Sequence, residues 1–203
     1  MQAYVQSVNF GVPALEVSVN ATKDGVLVCH HDQSALRVTG QDRKVADLTY
    51  AELSGLRVDA RAWLGPSTAL EPIPKLRDVL DRFAASHVIF IEDKQGTNTR
   101  TLLDLMDSYP NSTEHFIWKQ PAPALQVAAA AKRGYKTWGY FMPDAIPRLD
   151  ELAAGFDYLG VYHTADDATV SKVVAYGKPV ICWEIHTRST ANRITSLGVQ
   201  GLM

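Results

Sequence analysis

Little in this sequence points outward to a nucleic acid, a membrane or an oxidising compartment. Lysine and arginine total 20 against 22 aspartate and glutamate, a formal net charge of -2, so the basic excess that draws chains onto nucleic acid is missing. Cysteine occurs twice, at Cys29 and Cys182, each inside an apolar strand-like run. A thiol there behaves as a small buried hydrophobe, and no disulfide framework is expected. No run approaches the ~18 uninterrupted apolar residues of a membrane span, and the first residues lack the basic region and apolar core of a signal peptide. The expectation for the chain as written is a cytoplasmic location with no transmembrane segment. No G-x-G-x-x-G or P-loop pattern follows any strand-like run, which counts against a dinucleotide-binding open sheet. What is left is 203 residues, 46% hydrophobic and 21% charged, an ordinary globular composition from which one domain over 1–203 is expected.

The chemistry of the chain is concentrated between Ala14 and Asp32. Over Ala14 to Asn20 the alternation puts Leu15, Val17 and Val19 on one face of a strand and Glu16 and Ser18 on the other. Lys23-Asp24-Gly25 then reverses the chain, with Asp-Gly supplying the positive φ of a two-residue hairpin. Val26 to Cys29 is the return strand, which brings His30, His31 and Asp32 back toward Glu16. Before this run, Met1 to Phe10 reads as the end of an amphipathic helix carrying Tyr4, Val5 and Val8 and stopped by Gly11. After it, Gln33 to Asp47 reads as a polar loop, Thr49 and Glu52 as a capping box opening a helix through Leu56, and 57–72 as a long loop without periodicity.

From Ile73 onward, helical and strand-length apolar patterns alternate. Leu76, Val79, Leu80 and Phe83 mark a helix and His87 to Glu92 a strand; Leu102, Leu103, Leu105 and Met106 mark the next helix. Strands are predicted at 115–119, 135–140, 156–162, 178–185 and 199–203, and helices at 122–132, 144–153, 166–175 and 189–197. Such alternation argues for a parallel sheet with helices outside. Seven barrel-type strands result, so the expected fold is α/β, a (β/α)₈ TIM-type barrel entered one βα unit late, with its first unit largely missing.

Barrels of this class assemble their sites at the carboxyl ends of the strands. The polar residues there are Glu16 and Ser18; His31 and Asp32; Glu92, Asp93 and Lys94; Lys119; Trp138 and Tyr140; Tyr162 and His163; and Trp183, Glu184 and His186. Two glutamates aimed into one cavity, Glu16 and Glu92, repel unless protonated or bridged, and Mg²⁺ or Ca²⁺ is the usual bridge. The competing reading gives each glutamate to a lysine, Glu92 to Lys94 for instance. His31 is a candidate general acid or base near neutrality. Lys94 and Lys119 together with a metal would form a cationic cradle for a phosphate. Trp183 and the neighbouring rings would wall a small-molecule site or pack in the core.

These residues also carry a resemblance. Glu16-Val-Ser-Val-Asn-Ala-Thr22-Lys23-Asp24-Gly25, then His31-Asp32, Arg37, Thr39 and Gly40, then Ile91-Glu92-Asp93-Lys94, with Ile181-Cys-Trp183-Glu and Gly198-Val-Gln-Gly201 at the last strands, resemble the glycerophosphodiester phosphodiesterase family over nearly the whole chain. The resemblance implies a (β/α)₈ barrel, a divalent metal, and hydrolysis of a small-molecule glycerophosphodiester to glycerol 3-phosphate and an alcohol. By position it makes Glu16 and Glu92 metal ligands, His31 a catalytic acid/base and Lys94 a phosphate contact. The family's first-strand His-Arg-Gly motif is not in this sequence, and Ser18 stands where the family has a metal-binding aspartate, a pattern similar to an actinobacterial and phage-type branch. A truncated, inactive form and a non-catalytic barrel that binds phosphorylated ligands or a protein partner are the alternatives.

Overall fold

In the computed structural model, which describes residues 1–203, the chain divides at Phe116 into a first unit, Met1–Phe116, and a second, Ile117–Met203. The first opens with α1 (Gln2–Asn9), stopped by Gly11 at φ +83°. Strand β1 (Ala14–Ala21) and β2 (Leu27–Cys29) form an antiparallel hairpin with Ala21 opposite Leu27. The turn is longer than Asp-Gly alone predicts. Thr22 N–H donates to Val26 O at 3.0 Å, so three residues, Lys23 to Gly25, make the reversal, with Gly25 at φ +80°. That is the three-residue hairpin with glycine in the left-handed position.

Next come α2 (Leu36–Thr39), α3 (Tyr50–Gly55), α4 (Arg61–Leu64) and α5 (Leu76–Phe83). The predicted capping box is present: Thr49 and Glu52 exchange side-chain and backbone hydrogen bonds at the start of α3. The segments expected as loops hold more structure than their sequence suggests. Ala35 and Val45 are fully buried, and Val58 bridges Glu71. One small core of Val28, Val45, Leu48, Leu53 and Ile73 lies under this segment and against β2.

Strand β3 (Val88–Asp93) runs parallel to β1 with Ser18 opposite Glu92 and Val17 opposite Ile91; α6 (Thr99–Asp107) and α7 (Ser112–His115) complete the unit. Val17, Val19, Ile89 and Ile91 have no exposed surface, each contributing ~1.5–3 kcal/mol of burial. The alternation predicts one covered face on β1, yet Ser18 and Asn20 are buried too, as in parallel sheets covered on both sides.

The second unit alternates strand and helix: β4 (Phe116–Pro121), α8 (Val127–Lys132), β5 (Lys136–Phe141), α9 (Leu149–Leu152), β6 (Tyr158–Tyr162), α10 (Asp167–Val174), β7 (Val180–Trp183), α11 (Arg188–Ser196) and β8 (Gly201–Leu202). Neighbours β4 to β8 pair in parallel in sequence order. Phe141, Leu159, Val161, Val170, Val180 and Ile194 form its core. On β4, Trp118 Nε1 donates to Gln120 Oε1 at 2.8 Å, a buried pair two residues apart. Gly160 is required by packing, since a Cβ there would stand 2.7 Å from Trp138 Nε1 and 2.8 Å from Tyr140 Cα.

Candidate active site

The alternation of β1 and β3 sets Glu16, Ser18 and Asn20 on one face with Glu92 opposite Ser18. Ser18 Oγ donates to Glu16 Oε1 at 3.1 Å. Glu92 is 2% exposed, and Lys94 Nζ lies 2.9 Å from its Oε1. The ion pair offered as the competing reading for Glu92 is therefore present. Lys94 is placed by its backbone, whose N–H donates to Val19 O at 2.9 Å. Gln95, one residue on, takes the Ala21 N–H at 2.9 Å and returns its own amide to Ala21 O at 3.2 Å, tying the end of β3 to the end of β1.

Asn20 organises the histidine turn. From a fully buried position its Nδ2 donates to His30 O at 2.7 Å and to Asp32 O at 3.2 Å, while His30 N–H reaches Ser18 O at 2.9 Å. The two histidines then separate by environment. His30 is buried, its Nε2 is 3.1 Å from Ser34 O, and burial holds its pKa below the usual histidine value, so its role is structural. His31 is exposed, with Nδ1 2.9 Å from Asp32 Oδ1. Arg37 grips the same carboxylate with both prongs, Nε to Oδ2 at 2.6 Å and a terminal nitrogen to Oδ1 at 3.0 Å. The Arg37 guanidinium holds the Asp32 carboxyl down at about 2. An ionised carboxylate only accepts, so Nδ1 of His31 carries the proton and Nε2 is left for chemistry. Sequence reasoning singled out His31 and missed the roles of Asn20 and Arg37. Asparagine inside a strand, where it is rare, was the available signal.

The donors offered to a divalent ion are two carboxylates and one hydroxyl. Glu16 is turned to Ser18 and Glu92 to Lys94, and nowhere are three His, Cys, Asp or Glu side chains grouped to hold a metal. Ca²⁺ takes six to eight oxygens and Mg²⁺ an octahedron. These residues do not by themselves fit the ion.

Lys119, Trp138, Tyr140, Tyr162 and Trp183 belong to the second unit. Lys119 Nζ lies 5.4 Å from the Trp138 ring centroid and 5.3 Å from that of Tyr140, within cation–π range. Trp183 meets Tyr140 edge-on at 5.1 Å and Tyr162 at 6.4 Å. Trp138 is core, with no exposed surface; Tyr140, Tyr162 and Trp183 are half-buried. His163 straps the end of β7, its N–H donating to Trp183 O at 2.6 Å and its Nδ1 accepting from Glu184 N–H at 3.2 Å. His186 pairs with Glu184 at 3.3 Å in solvent. Cys29 and Cys182 are free thiols, pushed by burial up to about 12 and about 11, too high for nucleophiles.

Comparison with known proteins gives this arrangement its relatives. The Bacillus subtilis protein YhdW is 23% identical over 218 residues, spanning 99% of this chain and 86% of its own length. A glycerophosphodiester phosphodiesterase of Bacillus altitudinis is 36% identical over 98 residues, 47% of this chain and 39% of its own. Among solved structures, an Oleispira antarctica phosphodiesterase in complex with the product sn-glycerol-3-phosphate superposes with a TM-score of 0.80 at 18% identity, covering 97% of this chain and 83% of that one. Residues 1–114, which hold Glu16, His31, Glu92 and Lys94, match the profile of the glycerophosphoryl diester phosphodiesterase family. The chain belongs to that family.

Proposed function

We propose that this chain provides part of a glycerophosphodiester hydrolase with the (β/α)₈ barrel of its family, and that His31 delivers the proton to the leaving alcohol. The observation that carries this reading is the relay Arg37–Asp32–His31, which fixes the imidazole tautomer and leaves Nε2 to the substrate. The reaction adds water across the ester. A water oxygen bonds to phosphorus, the bond from phosphorus to the alcohol oxygen breaks, and that oxygen leaves with the Nε2 proton of His31, which enters the step as the imidazolium with Nδ1–H held by Asp32 and leaves it as the neutral Nδ1–H imidazole. The water's spare proton needs a second acceptor. In the family this is the His-Arg-Gly histidine, which is not among these 203 residues, so the proposal gives this chain the leaving-group half of the acid/base work. Lys94 beside Glu92 is the proposed substrate contact of the first unit, and Lys119 and Trp183 are those proposed in the second. Mg²⁺ or Ca²⁺ belongs to the proposal with Glu16, Glu92 and Ser18 as donors, and ligands beyond these three must complete its shell; no step is routed through it.

Release of glycerol 3-phosphate from glycerophosphocholine, measured with Mg²⁺, with Ca²⁺ and with chelator, tests the reading in the natural reading frame that carries this sequence. Turnover that His31→Ala lowers by ~10²–10⁴-fold is expected. Absence of turnover in that frame would reject it. The hydrogen bond from Ser18 to Glu16, in place of an aspartate donor, favours a second reading, a barrel that binds phosphorylated ligands without hydrolysis. Tight, metal-dependent binding of glycerophosphocholine with no turnover would select it.

A further inference from the structure

Beside His31 the first unit encloses a cavity of about 470 Å³ that no part of the proposed chemistry uses, within the size range of small-molecule sites. His31 and Arg37 stand at one side of it, and Val38, Val58, Leu64 and Ala69 supply apolar walls. Its charged groups are engaged elsewhere. Arg37 is bound to Asp32, and Glu71 accepts the Gln2 N–H of α1 at 3.0 Å. Tyr4 is the one phenol or indole ring in its lining, so there is no cage of aromatic faces for a quaternary ammonium. A second, more open hollow of about 690 Å³ shares Arg37 and Val38 with it and is walled by Leu36 and Trp63. Around these two hollows the chain exposes Leu36 at 49%, Trp63 at 64%, Leu64 at 56% and Leu70 at 46%, four of its nine exposed large hydrophobic residues within one 35-residue segment. Such concentration marks an interaction site.

We infer that this cavity is the subsite for the leaving alcohol, and that the alcohol is uncharged and apolar, of the alkyl or acylglycerol class. The inference rests on the diesterase reading for one point, that His31 protonates the leaving oxygen. The group attached to that oxygen must then lie on the His31 side, where Val38, Val58, Leu64 and Ala69 line the space, the one carboxylate, Glu71, is held by the Met1 amino group at 3.3 Å and the Gln2 N–H, and no aromatic cage awaits a choline. Leu36 and Trp63 continue the apolar lining into the adjoining hollow, beside the Arg61–Asp59 ion pair, which suits a chain longer than the cavity itself.

The test is calorimetric titration of the 203-residue chain with sn-glycero-3-phosphomethanol, -butanol and -octanol, below any micelle threshold, and with glycerophosphocholine. Affinity should rise about three- to fourfold per methylene up to the capacity of the cavity, the factor that ~0.8 kcal/mol per buried methylene gives. Leu64→Asp and Ala69→Phe should each flatten the series; both positions are exposed, so both variants are expected to fold. A flat series in the parent chain, or glycerophosphocholine binding as tightly as the octyl diester, overturns the inference. Hydrolysis rates in the natural reading frame separate the two claims. A Leu64-dependent binding series without turnover rejects the diesterase and keeps the apolar subsite, whereas turnover with no chain-length dependence does the reverse.

Discussion

Arg37 serves His31 through a single carboxylate. By gripping both Asp32 oxygens it removes the freedom of that group to rotate away from Nδ1. Asp32→Asn can present an amide N–H to the ring and favour the wrong tautomer, so kcat/KM should fall by ~10²-fold, the lower end of what a positioned acid/base group contributes. Steady-state kinetics of the variant would show it. The same carboxyl makes the fold acid-sensitive. Its pKa is depressed to about 2, so its contribution is present above ~3.9, the unfolded value, and is lost as pH falls toward about 2. His30, lowered by burial, adds to the trend, because the native state resists charging it below ~6.5. Urea midpoints should therefore decline from pH 7 to pH 3, with a smaller decline in Asp32→Asn. Lys94→Met removes a charged hydrogen bond from buried Glu92 and should cost ~2 kcal/mol. Adding Glu92→Gln should restore part of it in a double-mutant cycle.

Helix α3 shows how an element remote from the chemistry supports it. Its capping box fixes the turn that carries Leu53 into the core beneath β2, and β2 delivers the histidines. Thr49→Ala should cost ~1 kcal/mol, read as a lowered urea midpoint with unchanged slope. Elements of this kind were legible where periodicity extended over two turns. The four apolar positions read for α5 are all buried, and α10 and α11 lie within a residue or two of their predicted bounds. Short elements were not. A four-residue helix such as α2 or α4 completes one turn and leaves no repeat to detect. Helix α8 was read as starting at Ala122, but Pro121 and Pro123 impose a turn that Gln120 closes by donating to Ala124 O at 2.6 Å, and the helix begins at Val127. The predicted 144–153 helix breaks into two 3₁₀ turns flanking α9, with Pro147 in the first. Gly160→Ala should destabilise the second unit by ~1–3 kcal/mol through overpacking against Trp138, measurable as a fall in Tm.

For the molecule as a whole, the parallel succession of strands was legible because each buried strand is apolar and each is followed by helical spacing. The candidate site was legible only in its charged members. Asn20 and Gln95 act by hydrogen bonds to the backbone of distant segments, Gln95 across 74 residues to Ala21, and no local pattern announces such a bond. Both faces of β1 and β3 are covered, so their amides should be among the slowest of the first unit in hydrogen exchange. The inward polar side chains carry one more consequence. Ser18 with Glu16 and Trp118 with Gln120 are each pairs two residues apart on one strand, and Lys94, one residue past the end of β3, pairs with Glu92 at the same spacing. A contact this local closes almost no loop, so each strand reaches the sheet with polar partners already in place.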